Sequence, residues 1–426
     1  MEKQGRCIKI KLKNFLQIVA QVIIIGGLIF WIFPTILILT GGIFGGQSFE
    51  TTLDMFLPQF TGFSVIVLIV STVLKLFLVK KRKWLLYFTL VIGLVLIFTN
   101  LLPLTSPYIA TSDFDTKFKS ALGNDYISKI PPELRSQFRT YKFSLWNYYY
   151  YGFHDFQCNL TLDIPYLKIG NDTFKFDLYR PINQAKKSPV VIAIHGGGWR
   201  TGDKGIENMF PLNKYLASQG YVVCDIQYGL APNGYNMSDI VSNIGFFTKF
   251  LENKSSAYKI DLNKTFFLGR SAGAHLALLS GLGIKSPQFS GIFGKSINVS
   301  GIIDFYGPTN LSITYDLFVR YGEPSIFTFL MNGTPSSNPQ SYHKYSPINI
   351  INTSAPPILI LHGKNDKIVS ISESEVFKNK CDLLSDTCIL LEFPFGGHGF
   401  DYFFQSQYSQ IITYYIERFI GYFSNV

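Results

Sequence analysis

The heptapeptide GRSAGAH, residues 269–275, places a serine between two glycines, and a strand-like run precedes it. This G-x-S-x-G spacing is typical of a tight turn that exposes a serine hydroxyl as a nucleophile. The pattern is short, and a chain with 36 glycines can contain it by chance. A serine hydroxyl is also a weak nucleophile, so the chemistry needs a base and a group that orients the base.

Candidates for both groups follow Ser271, each just after a strand-like run. The run PPILILHGKND ends on Asp366, and CILLEFPFGGH ends on His398. Alone, either residue could belong to a turn or a surface loop. Together, in the order serine, acid, histidine and at successive strand ends, they predict a nucleophile (Ser271), an orienting carboxylate (Asp366) and a general base (His398).

Acyl transfer also needs hydrogen-bond donors for the oxyanion of its intermediate. The stretch HGGGW, residues 195–199, follows the apolar run PVVIAI and offers backbone N–H groups without side chains in the way. We predict that Gly197, Gly198 and Ala272 form this oxyanion hole. Trp199 and Tyr228 are predicted to line the opening of the substrate pocket.

The other histidines and cysteines near these motifs indicate no further chemistry. His195, His275 and His362 are interpreted as structural, and no Cys or His spacing is typical of a metal site. No cofactor is predicted. Cys381 and Cys388 lie seven residues apart, and a disulfide between them is left open.

The elements that position these residues are predicted from residue 159 onward. Strand-like and helix-like runs alternate there, which is typical of an α/β fold with a mostly parallel, doubly wound sheet covered on both faces. The first two strand-like runs, LTLDIPYLKI and TFKFDLYRP, are joined by GND and predict a hairpin. In such sheets ligands bind at the carboxyl ends of the strands, where the candidate residues lie.

The first quarter of the chain predicts a membrane domain, residues 1–104. Three apolar segments, at about 15–40, 56–79 and 84–104, are each near the roughly 20 residues that a transmembrane helix needs. Basic residues precede the first segment, and KKRK at residues 80–83 separates the second from the third. Because basic loops stay in the cytoplasm, we expect a cytoplasmic N-terminus, three crossings and an extracytosolic catalytic domain, at a cell surface or in an organelle lumen.

The net charge of +10 is largely a consequence of this region. Residues 1–104 hold ten basic and three acidic residues. The charge is therefore read as a topology signal, and no nucleic-acid motif accompanies it. We predict no nucleic-acid partner.

Sequons for N-glycosylation occur only from residue 159 onward, which agrees with an extracytosolic glycoprotein domain, although Asn, Ser and Thr also simply share loops. They begin at Asn159, Asn171, Asn236, Asn253, Asn263, Asn298, Asn310, Asn332 and Asn352. The aromatic-rich segment 105–158 is interpreted as a bridge, with a lid, an interfacial patch or ordinary packing as open alternatives.

The motifs together resemble the α/β-hydrolase fold, and within it the hormone-sensitive-lipase and acetyl-esterase group, especially its feruloyl-esterase-like and arylformamidase-like branches. They are HGGGW, YGLAP, GRSAGAH, DFYGP, the Ser-Pro pair at 346–347, HGKND and GGHGF. The resemblance covers about 159–426, and residues 1–158 fall outside it. It implies the same triad and the same glycine donors. Two departures, YGLAP for the usual YRLAP and Arg270 before the serine, leave the substrate preference open.

These observations predict a membrane-anchored serine hydrolase that cleaves a small-molecule or lipid carboxylic ester, with a small cap at about 309–345. An amidase or formamidase is an alternative, because a triad does not separate esters from activated amides. A prenylcysteine-methylesterase-like lipid ester hydrolase is a weaker likeness. A non-enzymatic adhesion protein on an esterase fold is a further alternative, although such proteins usually lose a triad member. The oligomeric state is not predicted.

Overall fold

The computed structural model describes residues 30–40, 56–78, 83–150, 156–205, 209–320 and 322–425, together with residues 19 and 26. About half of the first predicted membrane span, about 15–40, therefore lies outside the described residues. The same holds for residues 151–155 of the predicted bridge.

An eight-stranded sheet organises the described part of the chain from residue 159. The strands lie in the order β1-β2-β4-β3-β5-β6-β7-β8. β1 and β2 form the predicted antiparallel hairpin, β2 pairs antiparallel with β4, and the strands from β4 to β8 are parallel. The strands are β1 (Asn159–Ile169), β2 (Asp172–Arg180), β3 (Ser188–Ile194), β4 (Val222–Ile226), β5 (Ile260–Arg270), β6 (Val299–Phe305), β7 (Ile358–Gly363) and β8 (Cys388–Phe393). The predicted α/β class with a mostly parallel sheet is confirmed.

The strands β3, β4 and β7 are buried along nearly their whole length because helices cover both faces of the sheet. In β3, Ile192 packs into one buried cluster and Val191 into the cluster on the opposite face. In the edge strand β1, by contrast, every residue is exposed or half-buried. This contrast is what a parallel sheet between two helix layers requires.

The strand register brings the candidate residues to one edge. Ile194 at the end of β3 pairs with Gly269 of β5, and Arg270 pairs with Phe305 of β6. Gly363 at the end of β7 pairs with Phe393 of β8. The loops that follow these strands therefore meet at the carboxyl edge of the sheet.

The helices fall into an N-terminal group and a group around the sheet. The first group is α1 (Ile32–Thr40), α2 (Thr61–Leu78), α3 (Lys83–Leu122), α4 (Tyr126–Lys129), α5 (Pro132–Arg135) and α6 (Leu145–Tyr150). The second is α7 (Met209–Ser218), α8 (Met237–Lys254), α9 (Ala272–Gly283), α10 (Leu311–Arg320), α11 (Pro324–Met331), α12 (Pro339–Tyr345), α13 (Pro347–Ile350), α14 (Ile371–Leu383) and α15 (Gln407–Phe423). A short 3₁₀ turn, Leu57–Phe60, precedes α2.

Helix α3 extends well beyond the predicted end of the third membrane segment at residue 104. It runs for 40 residues and contains Pro103 and Pro107. Its second half packs against the sheet domain, where the ring centroid of Phe114 lies 5.0 Å from that of Phe393. Phe118 is fully buried there. Residues 105–122, predicted to begin a bridge, are thus the continuation of this helix, and burial of its apolar side chains outweighs the cost of the two prolines.

The structure does not show the three predicted membrane crossings. Among the described residues, the helical stretch Tyr87–Leu122 is the one long and apolar enough to cross a membrane, and Leu57–Val73 is a shorter apolar stretch. A core helix of a soluble protein passes the same test, and the second half of this stretch is indeed packed. Length and composition give no orientation.

The two cysteines that flank residues 382–387 are neighbours but are free thiols in this structure. Both Cys381 and Cys388 are buried. Burial, followed by the neighbouring Cys381 thiol, raises the pKa of Cys388 well above its usual value. The disulfide left open by the sequence is not formed.

Candidate active site

Ser271 occupies a strained turn between β5 and α9. Its φ of 52° and ψ of −122° lie in a region that L-residues rarely adopt, at a cost of about 1–3 kcal/mol. The flanking glycines make the turn sterically feasible. A Cβ on Gly269 would lie 2.2 Å from the carbonyl oxygen of Gly273, and a Cβ on Gly273 would lie 2.2 Å from that of Ile194. The sequence folds this way because only glycine fits at both positions.

The structure brings the three predicted triad residues into one hydrogen-bonded chain. The Ser271 hydroxyl oxygen lies 2.9 Å from Nε2 of His398. Nδ1 of His398 lies 2.8 Å from Oδ2 of Asp366. These distances are within hydrogen-bonding range, and they match the arrangement of nucleophile, base and orienting acid.

Asp366 is held as an ionised acceptor. Its Oδ1 accepts the backbone N–H groups of Ile368 and Val369, both at 2.8 Å. Burial works to raise its pKa, but His398 and His362 outweigh burial and hold the pKa of Asp366 well below its usual value. An ionised carboxylate at Nδ1 favours the His398 tautomer that carries its proton on Nδ1. Nε2 is then free to accept a hydrogen bond from the Ser271 hydroxyl.

His362, interpreted from the sequence as structural, is a direct neighbour of Asp366. Its Nε2 lies 3.3 Å from Oδ2 of Asp366 and 2.9 Å from the Val369 carbonyl oxygen, and its Nδ1 lies 2.7 Å from the Ser374 hydroxyl. Burial works to lower the pKa of His362, but the bond to Asp366 and its charge raise it overall. The His362 ring therefore restrains the Asp366 carboxylate on the strand β7 that precedes it. Its place four residues before Asp366 was the available signal.

The Ser271 and His398 side chains line a cavity of about 270 Å³. Its wall is mainly apolar and includes Thr314, Leu317 and Phe318 of α10. This helix lies in the predicted cap region, which also holds α11 and α12. The other apolar lining residues are Trp199, Ala272, Tyr306, Pro308, Ile368, Val369 and Tyr402. A small apolar cavity beside a serine hydroxyl can hold a compact apolar group.

The HGGGW loop borders the same cavity and is shaped by its glycines. Gly197 and Gly198 have φ values of 110° and 61°, and a Cβ on Gly197 would lie 2.0 Å from the carbonyl oxygen of Thr201. In the part of the chain that the structure describes, the N–H groups of Gly197 and Gly198 donate to no other residue. They and Ala272, at the first position of α9, all line the cavity.

The two residues predicted to line the opening are placed differently. Trp199 lines the cavity and is buried, with its ring edge-on to His275 at 5.2 Å. Tyr228 lies behind the loop, where its ring stacks on His195 at 4.3 Å and its hydroxyl donates to the His195 carbonyl oxygen at 2.9 Å. Tyr228 is not part of the cavity lining, so it supports the loop rather than the opening.

His195 and His275, both predicted to be structural, are buried. Burial lowers the pKa of His195 to about 4, and its Nδ1 lies 2.8 Å from the Gly196 carbonyl oxygen. Burial likewise lowers the pKa of His275 to about 4, and its Nε2 lies 2.8 Å from the Tyr345 carbonyl oxygen. Both rings are therefore neutral at pH 7 and hold backbone segments in place.

Arg270, the unusual residue before the nucleophile, forms a buried ion pair that the sequence reasoning missed. Its Nε donates to Oδ2 of Asp401 at 2.6 Å, and the Tyr306 hydroxyl donates to Oδ1 of the same carboxylate at 2.6 Å. The Tyr306 ring lies 4.7 Å from the His398 ring. The signal was an opposite charge three residues after His398. The pair ties β5 to the loop that carries His398.

The described residues contain no group of three or more His, Cys, Asp or Glu placed to hold a metal ion. No ligand set for a metal is therefore assigned within those ranges.

Comparison with known proteins gives one family match and a set of curated relatives. The BD-FAE family matches residues 176–381, which include Ser271 and Asp366 and end before His398. The probable carboxylic ester hydrolase LipM of Mycobacterium tuberculosis is 28% identical over 243 residues, covering 56% of each chain. The isoprenylcysteine alpha-carbonyl methylesterase ICME of Arabidopsis thaliana is 31% identical over 217 residues, covering 48% of each chain. The chain thus spans about half the length of the curated relatives it matches.

Among solved structures, the inhibited esterase B from Lactobacillus rhamnosis superposes with a TM-score of 0.52 at 19% identity, covering 63% of this chain and 90% of that one. At this identity the likeness shows the fold alone. The relatives, in contrast, are named carboxylic ester hydrolases and esterases. The family match and these relatives make the sheet domain similar to α/β-hydrolase esterases, and the mostly parallel sheet agrees with that fold.

Proposed function

We propose that this protein is a membrane-anchored serine hydrolase that cleaves carboxylic esters through a Ser271 acyl-enzyme. The observation that carries the proposal is the chain of hydrogen bonds from Ser271 through His398 to Asp366, at 2.9 and 2.8 Å, beside a cavity. The names of the relatives support the reaction class.

In the acylation half, His398 Nε2 takes the hydroxyl proton of Ser271 as the serine oxygen attacks the ester carbonyl carbon. A tetrahedral intermediate forms, and its negative charge falls on the former carbonyl oxygen. When the intermediate collapses, the bond from carbon to the alcohol oxygen breaks, and His398 returns the proton to the leaving alkoxide. The products are an alcohol and the acyl-serine ester.

In the deacylation half, His398 accepts a proton from a water molecule that attacks the acyl carbon. Collapse of the second intermediate returns that proton to Ser271 and releases the carboxylic acid. Throughout, Asp366 stabilises the imidazolium and keeps its orientation, since it remains ionised. His362 and the two backbone N–H donors hold Asp366 still during both halves.

The oxyanion donors in this mechanism are the backbone N–H groups of Gly197, Gly198 and Ala272. The two glycine N–H groups are free of internal acceptors within the described residues, and the third begins helix α9, where N–H groups have no intrahelical partner. Removing one such donor typically costs about 3–4 kcal/mol of transition-state stabilisation. Backbone donors fixed by strained glycines need no reorganisation when the charge develops.

The membrane anchor and the outward orientation belong to the same proposal. The apolar stretch Tyr87–Leu122 is long enough to span, and the basic KKRK segment precedes it. Most of the sequon asparagines are exposed, as glycosylation would require, for example Asn171, Asn253 and Asn352. We place the sheet domain outside the cytosol on these grounds.

A lipid ester is the second candidate substrate. Several relatives are named isoprenylcysteine alpha-carbonyl methylesterases. In this chain, Tyr402 of the cavity wall packs on Phe56, just ahead of α2, with ring centroids 5.3 Å apart. The cavity therefore borders the segment that we assign to the membrane side, from which an amphiphilic ester could enter.

The proposal is tested by hydrolysis of short p-nitrophenyl esters with membranes that contain the full-length chain. We expect wild type to be active and Ser271→Ala to lose activity to background. Ser280→Ala, a buried serine on the same helix α9, is the matched control and should retain activity. Equal activity of wild type and Ser271→Ala would refute the proposal. Preference for an acyl anilide over the matching ester would favour an amidase.

The same preparation tests the orientation and the lipid candidate. Activity towards a membrane-impermeant ester in intact cells supports an outward catalytic domain, whereas activity only after permeabilisation would indicate a lumenal or cytosolic one. A much higher kcat/KM for a prenylated methyl ester than for a short soluble methyl ester would favour the lipid substrate.

A further inference from the structure

We propose that Gln59, in the 3₁₀ turn ahead of helix α2, is a positioning residue for the catalytic base His398. The membrane-side segment 56–62 would then be part of the active-site support and not only an anchor. This inference rests on the proposed serine-hydrolase function, because it assigns His398 the role of base.

The Gln59 side chain grips the loop of the base at two points. Its Nε2 donates to the carbonyl oxygen of Gly399 at 3.1 Å, and its Oε1 accepts the N–H of Phe403 at 2.5 Å. Gly399 directly follows His398 and has a φ of 75°. Gln59 is fully buried, so water does not compete for either hydrogen bond.

Gln59 is itself fixed by a second set of contacts. The Tyr148 hydroxyl donates to the Gln59 carbonyl oxygen at 2.6 Å and accepts the N–H of Gly62 at 3.1 Å. The Phe60 ring packs on Phe403 with centroids 4.8 Å apart. The turn therefore presents the amide of Gln59 to the loop in one orientation.

The loop needs such support because no strand or helix holds it. β8 ends at Phe393 and α15 begins at Gln407, so His398 lies in an irregular segment between them. One anchor of this segment is the Arg270–Asp401 ion pair on the sheet side. Gln59, in the segment 56–62 that we assign to the membrane side, is another anchor. Its two bonds, to Gly399 and Phe403, lie on either side of Asp401 in the sequence.

The expected consequence of losing the Gln59 bonds is a displaced His398. A misplacement of about 1 Å can cost on the order of 100-fold in rate. For Gln59→Leu, which keeps the volume and removes both bonds, we expect kcat to fall about 10- to 100-fold with KM changed less than about 3-fold. The loss should be larger for an alkyl ester than for its p-nitrophenyl ester, because only the alkoxide needs the proton from His398.

A matched control comes from the other buried glutamine of the same junction. Gln407 donates to the carbonyl oxygens of Pro58 and Pro103, at 2.7 and 3.0 Å, and is also fully buried. Gln407→Leu removes two bonds to the same membrane-side elements and leaves the grip on Gly399 and Phe403 in place. We expect this variant to lower the melting temperature and to keep both kcat and the ratio of alkyl to aryl ester rates.

A milder variant covers the case in which Gln59→Leu does not fold. Tyr148→Phe removes the hydroxyl that holds the Gln59 backbone but keeps the buried ring. We expect the same preferential loss with the alkyl ester, at a smaller fold-change. Both variants are measured in the full-length chain and normalised to the amount of folded protein.

Opposite outcomes separate the inference from the proposed function. A normal kcat and a normal alkyl-to-aryl ratio in folded Gln59→Leu, or in Tyr148→Phe where the first does not fold, would overturn the inference while leaving an active wild type intact. Equal effects of Gln59→Leu and Gln407→Leu on both quantities would also overturn it. A wild type that hydrolyses neither ester would overturn the proposed function, and the inference with it.

Discussion

The buried ion pair between Arg270 and Asp401 offers a quantitative test of how the nucleophile is supported. The two side chains are 2% and 1% exposed, and their charged atoms lie 2.6 Å apart. Asp401→Asn keeps the shape of the side chain but removes the charge that faces the guanidinium. Breaking a buried pair by removing one partner typically costs about 3–5 kcal/mol, because a buried charge loses its compensation.

That free energy translates into a measurable shift of the melting temperature. For a domain of this size, each 1 kcal/mol corresponds to roughly 2–4 °C. We therefore expect Asp401→Asn to melt roughly 6–20 °C below wild type, measured by a thermal shift of the detergent-solubilised chain. Activity should fall as well, since the Tyr306 hydroxyl also loses its carboxylate acceptor and its ring contacts His398.

A double variant separates the charge effect from a packing effect. Replacing both partners with apolar side chains, Arg270→Met with Asp401→Leu, is often neutral for a buried pair. We expect this double variant to recover most of the melting temperature that Asp401→Asn loses, and thus to show strong coupling between the sites. The reasoning is refuted if Asp401→Asn melts within about 2 °C of wild type, or if the double variant melts below the single one.

Two further predictions concern the carboxylates near the site. Asp366→Asn removes the orienting charge and should lower kcat on the order of 10⁴-fold with the fold intact, measured by ester hydrolysis alongside circular dichroism; a loss below about 10-fold would contradict this role. Burial raises the pKa of Asp304 from 3.8 to about 7. Its protonated form therefore stabilises the fold fully below pH 3.8, and this contribution is lost as the pH rises to about 7. Asp304→Asn, whose amide oxygen can still accept the Gly307 N–H, should show a smaller fall in melting temperature between pH 4 and 7 than wild type; an unchanged slope would contradict the shifted pKa.

Much of the sheet domain follows from sequence patterns alone. Apolar runs bounded by glycines mark the central strands because those strands are buried on both faces, and the order of Ser271, Asp366 and His398 after successive strands places them at one edge. The hairpin of β1 and β2 was predicted from the GND turn and is confirmed. These features are local, or depend on the simple rule that parallel strands end together.

The features that the sequence did not predict depend on contacts between distant parts of the chain. Gln59 and Gly399 are 340 positions apart, and no sequence motif around Gln59 predicts a hydrogen bond to the loop after β8. The pairing of Arg270 with Asp401 likewise becomes visible only once the strand and the loop are packed. Tyr228 is predicted to line the opening, but its ring stacks on His195 and lies behind the loop.

Helix α3 is longer than the third apolar segment from which a membrane span is predicted. The third predicted span ends near residue 104, next to Pro103 and Pro107. The helix instead continues to Leu122 because its later side chains, among them Phe114 and Phe118, are buried against the sheet domain. Tertiary burial thus extended a helix that local sequence signals would end.

The most direct test of the central claim is covalent labelling of the full-length chain with a fluorophosphonate, followed by mass spectrometry of the digested protein. The account predicts a single phosphonylated serine at Ser271, and loss of labelling in Ser271→Ala and after heat denaturation. An adduct on a different serine, or no adduct on a folded wild type, would contradict the account.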